Sequence, residues 1–226
     1  MDEGGSGLRT KRTTLKRHPE RGAHGFETIA RVLDEALYCH IGFVADSQPF
    51  VVPTAFGRSG RTLYIHGSAA SRTLGALSGG LSMCLTATLI DGLVLARSAF
   101  RHSMNYRAVM ILGVAHEVSG EEKLRGLETI TEHAVPGRWA DVRPPSAKEL
   151  KATTVLKLDI EEASAKIRRG PPIDDEADYA LPIWAGVVPL ALAAQEPVPD
   201  AKLRPDVGLP AYLADYRRAT RAHGAR

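Results

Sequence analysis

The stretch "YCHIGFVADSQPFVVPTAFGRSGRTLYIH", residues 38–66, constrains the fold more than any other part of the chain. Three apolar runs rich in β-branched and aromatic residues are separated by the short polar segments "DSQ" and "RSGR". Such runs, bounded by turn formers, read as three strands of a meander. Upstream, "FETIARVLDEAL" places Ile29, Leu33, Ala36 and Leu37 at helical spacing, so a helix leads into the first strand.

Downstream, "LSMCLTATLI" and "GLVLA" flank Asp91-Gly92, a dipeptide that signals a hairpin. "YRAVMILGVAHEV" reads as a long strand and "EEKLRGLETITEHAV" as an amphipathic helix stopped by Pro136-Gly137. Ser146 is placed to cap a short helix, "TTVLKLDI" alternates as a strand, and "PIWAGVVPL" is a last apolar strand after the charged loop "PPIDDEADY". About seven strands and few helices predict a mainly β fold, a closed or split antiparallel barrel of Greek-key type with peripheral helices. The expected divisions are a basic extension over 1–21, the barrel domain over 22–190 and an Ala/Pro-rich C-terminal extension over 191–226.

"LYIHGSAASRTLGAL", Leu63 to Leu77, carries the first chemical question. A strand ends at His66, Gly67 relaxes the backbone, and two serines and an arginine open a helix. Turn and capping chemistry explain Gly and Ser in such a place. An anion explains them too, since a helix start exposes unpaired N–H groups, and hydroxyls with a guanidinium complete a phosphate cradle.

Composition narrows the classes. Hydrophobic residues make up 44% of the chain and charged residues 24%, as in ordinary globular proteins. No apolar run approaches the length of a membrane span, and the basic N-terminus is not followed by an apolar signal core, so the chain reads as cytoplasmic. Cys39 and Cys84 are the only cysteines, too few for a disulfide framework, and both lie in apolar runs as inert thiols. Residues 1–21 carry six Lys/Arg against three Asp/Glu, and residues 202–226 carry six against two. Acids are mixed into both basic ends and aromatics are not interleaved, so these ends read as solvated and nucleic acid is not an expected partner. The eight histidines show no metal-ligand spacing, and no metal is expected.

"YCHIGFVADSQPFVVPTAF", "LYIHGSAASR", "DGLVLARSAFRHSMNYRAVMILGVAHEV" and "PIWAGVVPL" together resemble, in order and spacing, the FMN-binding split-barrel proteins related to pyridoxamine-5′-phosphate oxidase, and within them the nitroimidazole-resistance-like branch. The resemblance runs from about Arg17 to Leu190. It implies an FMN cofactor and a homodimer with the flavin in clefts between subunits. It implies further that Val52, Pro53 and Thr54 lie along the isoalloxazine ring, with the backbone of "VVPT" running beside it. His66, Gly67, Ser68, Ser71 and Arg72 would then approach the ribityl phosphate. Asn105, Tyr106 and Arg107 would stand beside the flavin, often from the second subunit, with Trp184 at the cleft edge and Lys166 as a further contact. Arg suits the phosphate because its planar fork matches two oxygens, and Trp184 and Tyr106 suit a π-face.

One departure matters. "FVVPTAFG" has no basic residue before Arg58, which argues against a second phosphorylated substrate and so against vitamin B6 oxidation. The expected function is an FMN-dependent oxidoreductase passing electrons from a reduced donor to a small acceptor, nitro-aromatic or quinone-like. His66 is the candidate proton donor, against a reading as a merely structural strand-end histidine. The alternatives are a flavin carrier or redox sensor without turnover, or the same barrel holding a deazaflavin or haem. His40 reads as a core or interface residue, and Arg101 and His102 as a loop near the cleft mouth. Trp139 reads as packing rather than a lid, and Asp174, Asp175, Glu176 and Asp178 as a solvated loop.

Overall fold

The computed structural model describes residues 7–214 and residue 216. Its elements in chain order are β1 (Gly22–Ala23), α1 (Phe26–Glu35), β2 (Tyr38–Ala45), β3 (Gln48–Ser59), β4 (Thr62–Ser68), α2 (Arg72–Ser78), β5 (Ser82–Leu95), β6 (Ser103–Val114), β7 (His116–Glu117), α3 (Gly120–Ala134), α4 (Ala147–Ala152), β8 (Thr153–Asp159), β9 (Glu162–Arg168), β10 (Gly186–Pro189) and α5 (Ala211–Ala214). The strands follow the order β1-β9-β6-β5-β2-β3-β4-β8-β7, with β10 beside β5, and the recorded pairings are antiparallel. The expected mainly antiparallel β fold with peripheral helices is what the chain forms. Among the described residues no helix is long and apolar enough to cross a membrane.

The chain divides into two compact units. The first holds the chain up to Leu89 together with Tyr106–Arg168, and the second holds Ile90–Asn105 with the chain from Arg169 onward.

In the first unit the meander forms as its pattern dictates. β2 spans the expected residues, and Cys39, Ile41 and Phe43 point to the core while Tyr38, His40 and Val44 face outward. Asp46 and Ser47 both have positive φ, 50° and 63°, the geometry of a two-residue hairpin whose twist matches its strands. Gln48 therefore belongs to β3, not to the turn. The second turn is likewise shorter than "RSGR", because β3 runs on to Ser59. Ile29 and Leu33 of α1 join Ile41, Phe56, Leu63, Leu77, Leu85, Ile111, Leu156 and Ile160 in a core sealed from solvent. Burying such side chains stabilises by about 1.5–3 kcal/mol each.

α3 packs on β3, β4 and β8, over a smaller cluster of Tyr64, Val118, Ile130 and Val155. Glycine permits this approach, since a Cβ on Gly57 would lie 2.5 Å from the Thr129 carbonyl oxygen of α3. α4 starts on the expected cap: Ser146 Oγ accepts from Glu149 N at 3.3 Å, and Glu149 Oε2 accepts from Ser146 N at 2.7 Å.

Two further expectations fail. β9 was not expected, because Ala163, Ser164 and Ala165 carry little strand preference; they are buried all the same, beside Val109 and Ile111 of β6. Asp91-Gly92 does not turn the chain, for β5 runs straight through it. What changes there is phase: Met83, Leu85, Ala87 and Leu89 are buried on one alternation, Gly92 and Val94 on the other. In the second unit Gly92 faces Pro189 of β10, and a Cβ on it would stand 2.9 Å from the Val188 carbonyl oxygen. The glycine serves close strand approach rather than a reversal.

Candidate functional site

β4 and α2 assemble the segment singled out in the sequence. Gly67 lets α2 close on the strand, because a Cβ there would lie 2.9 Å from Leu74 Cδ1. Ser71 is the α2 N-cap, its Oγ accepting from Leu74 N at 3.3 Å, and Ser68 Oγ accepts from Ala70 N at 3.2 Å. Both hydroxyl oxygens thus have local work as caps and turn braces, while their protons remain to be donated. Arg72 is exposed at the first helical position.

His66 is half-buried, and its Nδ1 is enclosed without a hydrogen-bond partner among the described residues. Burial pushes its imidazolium pKa below the ordinary 6.5, so the ring is neutral at pH 7. It pairs in register with Val155 of β8.

β3 changes partners beside this segment. Its residues up to Ala55 pair with β2, and Phe56 to Ser59 pair with β4. The β3–β4 ladder starts at Phe56–Ile65, whereas His66, Gly67 and Ser68 continue only along β8. The sheet is therefore split between Pro53–Ala55 on one side and His66–Ser68 on the other. Val52, Pro53 and Thr54 sit on the β3 lip of that split. Val52 leans on the core, Thr54 Oγ1 donates to the Ala55 carbonyl at 3.3 Å, and Pro53, exposed opposite His40, offers no N–H. Val51, 70% exposed, lies in the same run of β3.

The remaining first-unit candidates lie elsewhere in the sheet. Tyr106 and Arg107 are on β6, opposite Arg168 and Ile167, and Lys166 is on β9 opposite Ala108. Strands β5 and β2 stand between β6 and β3 in the sheet order, so one chain does not gather these residues with the β3–β4 split along the sheet. The Arg107 guanidinium is already committed, since Nη2 donates to Glu35 Oε1 at 2.9 Å and Nη1 to Oε2.

In the second unit Asn105 is buried and its Nδ2 donates to the Gly170 carbonyl at 3.1 Å. Trp184 is 67% exposed, its ring covering Gly186. Asp174 corrects the reading of its neighbourhood as a solvated loop. Its side chain is fully enclosed and accepts from Arg97 N at 3.1 Å and Arg97 Nη1 at 3.0 Å. Burial acts to raise its pKa, but the N–H groups of Arg97 and Ser98 and the Arg97 guanidinium outweigh that and hold it below the ordinary value. Asp175 accepts from Arg101, and the Arg97 guanidinium lies 4.9 Å from the Tyr179 ring centroid. His102 Nδ1 donates to the Ser98 carbonyl at 3.0 Å. The acidic run hid this arrangement: one aspartate of it is an internal ligand for a backbone N–H, which no spacing rule reveals. Trp139 is half-buried, with its backbone N–H donating to Glu132 Oε1 at 2.7 Å.

The sequence profile of the pyridoxamine 5′-phosphate oxidase family matches residues 26–167. Among solved structures, the flavocytochrome Anf3 from Azotobacter vinelandii is 43% identical, with a TM-score of 0.85 over 91% of this chain and 96% of its own. The FAD and haem binding protein from Mycobacterium smegmatis is 33% identical, with a TM-score of 0.84 over 87% of this chain and 97% of its own. A candidate 5-nitroimidazole antibiotic resistance protein from Bacteroides thetaiotaomicron shares 24% identity and a TM-score of 0.55 over 65% of this chain and 86% of its own, a likeness of fold alone. No curated protein sequence matches the chain. The split sheet, the strand order and these matches lead to one assignment: the chain belongs to the pyridoxamine 5′-phosphate oxidase family, with its split-barrel fold.

Proposed function

We propose that the protein is a flavin-binding redox protein that also carries haem, an electron-transferring flavocytochrome. The observation that carries the reading is identity of 43% and 33%, across about nine-tenths of the chain, to a flavocytochrome and to a protein that binds FAD and haem. It favours FAD over the FMN expected from the sequence, and electron transfer with haem over reduction of a nitro-aromatic at flavin alone. The chemistry supplied on binding is exchange between two-electron donors and one-electron carriers.

The residues of the β3–β4 split suit an anionic, flat cofactor. Arg72 is an exposed guanidinium beside two hydroxyl donors, Ser68 and Ser71, and binds phosphate. The backbone of Val52–Thr54 borders the ring, and Gly67 keeps the lip free of a side chain. His66, half-buried and neutral at the end of β4, holds or takes a proton at a flavin edge. Tyr106, Lys166, Asn105 and Trp184 complete the site from a second copy of the chain, in keeping with the separation of β6 and β9 from the split in the sheet order. The protein is thus a homodimer in this reading, and light scattering on the flavin-loaded protein returns twice the chain mass.

The test is a fluorescence titration of the flavin-free protein with FAD, FMN and riboflavin. FAD and FMN are expected to bind at least tenfold more tightly than riboflavin, about 1.4 kcal/mol. Equal affinity for all three removes the phosphate cradle from the account.

A further inference from the structure

We propose that the ribbon of β10 and the end of β5, with the exposed chain that follows it, is a dimer clasp. It docks on the outer face of β2 and β3 in a second copy of the chain, an assignment that rests on the homodimer reading above.

In the second unit, strand register brings apolar side chains to one face of the ribbon. Leu93 lies opposite Val188, and Leu95 opposite Gly186. Opposed residues of an antiparallel pair share a face, so the Cβ that Gly186 lacks would point to the same side. There it would stand 3.0 Å from the Trp184 ring. Leu190, two residues beyond Val188, continues that face, its N–H donating to the Asp91 carbonyl at 3.1 Å. Trp184, Leu93, Val188 and Leu190 are all exposed, and the paired residues 92–95 and 186–189 include no charged side chain.

The chain beyond the ribbon is uncovered as well. Residues 188–209 are exposed at every position, with Leu192 and the 91% exposed Val198 among them. Four prolines in this stretch favour an extended backbone and reduce the entropy lost on docking. Among the described residues 21 large apolar residues are exposed, and 16 of them belong to the second unit. Side chains of that number present on the order of the 800 Å² per partner that a standard interface buries. A Trp with aliphatic neighbours is the composition of an interface core.

The first unit carries the complementary surface. His40, Gly42 and Val44 lie opposite Pro53, Val51 and Pro49, and they alternate with Cys39, Ile41 and Phe43 of the core. These residues therefore form an outer face, on which Val44 and Val51 are exposed. No Lys, Arg, Asp or Glu occurs in β2 or in residues 48–56, so an apolar clasp meets no charge that it would have to desolvate. Both halves of the contact belong to one chain. A two-fold pair seats each clasp on the other copy's sheet and closes, whereas a foreign partner would engage one half and leave the other bare. The docking also carries Trp184 toward the other copy's β3, the strand assigned above to the flavin.

The experiment compares the flavin-loaded full chain as wild type, Val188→Asp, Val198→Asp, Val44→Asp and Leu124→Asp, the last an exposed apolar residue of α3. Sedimentation equilibrium over a range of concentrations gives the dimer dissociation constant, and circular dichroism reports folding. The first three variants are expected to raise that constant at least tenfold, and Leu124→Asp to match wild type. A second measurement places a photoreactive benzophenone amino acid at position 198 in a mixture of isotopically heavy and light chains. Expected are cross-links from position 198 to peptides of β2 and β3 that join a heavy to a light chain. Folded clasp variants with wild-type dimer affinity, or cross-links confined to one copy, would overturn the clasp while leaving the homodimer standing. Cross-links made in the expressing cell only to a different protein would overturn it in favour of a foreign partner. A monomeric wild type would overturn both the clasp and the homodimer.

Discussion

Arg107 Nη2 and Glu35 Oε1 are 2.9 Å apart, and together the two side chains form a fork-to-fork ion pair between the middle of β6 and the last residue of α1. The guanidinium side chain is 5% exposed and the carboxylate side chain 18%. A carboxylate at a helix C-terminus faces the negative end of the dipole, and Arg107 offsets that as well as its own burial. Arg107→Ala should therefore cost about 3–5 kcal/mol by stranding Glu35. In a chain of this size that lowers Tm by on the order of 10 °C, measurable by calorimetry. A loss below 1 kcal/mol would mean the pair is not formed in solution.

Arg72 and His66 should fail in different ways. Arg72→Ala removes a charge-assisted fork and is expected to weaken flavin binding by roughly 2–5 kcal/mol, with Arg72→Lys recovering only part. His66→Gln should keep flavin affinity within about tenfold while slowing reduction or reoxidation. Fluorescence titration and stopped-flow reduction separate the two. The reverse pattern would place the cradle elsewhere.

His66 also sets a pH dependence. Its folded pKa lies below 6.5 because burial disfavours the imidazolium. As pH falls through 6.5 the unfolded chain takes a proton that the folded chain refuses, so stability is full above that value and declines below it. Urea unfolding at pH 7.5 and 5.5 should show wild type losing more stability than His66→Gln over that step. Equal losses would mean another group governs this range.

Gly57 tests how α3 is seated. A methyl at that position would meet backbone, the Thr129 carbonyl, which cannot rotate away. Gly57→Ala is expected to destabilise by about 1–3 kcal/mol, as overpacking does. Gly75→Ala, where a Cβ meets nothing within 4 Å in α2, should be neutral or stabilising. Denaturant midpoints of the two variants decide the point.

Much of this fold is legible in the sequence because local chemistry and final environment agree. β2 follows its alternation residue for residue, Asp46-Ser47 turns as a hairpin, and Ser146 with Glu149 forms the cap their spacing promises. Legibility ends where tertiary contact decides. Ala163 and Ala165 form a strand through burial rather than preference, and Gly92 serves the approach of β10 to β5. The candidate site divides likewise. The β4–α2 segment is contiguous and readable as one motif, whereas ties such as that of Asp174 to Arg97 run from a side chain to a backbone N–H. No side-chain pattern in the sequence announces such bonds.

The most direct test of the central claim is cofactor analysis of the protein as purified after expression with riboflavin and a haem precursor supplied. Extracted flavin is identified by chromatography and haem by its pyridine complex, each per chain. We expect FAD and haem, each near one per chain, with a Soret band that shifts when the flavin is reduced by a hydride donor. FMN without haem would contradict the flavocytochrome reading and return the protein to the simpler flavin oxidoreductases of its family.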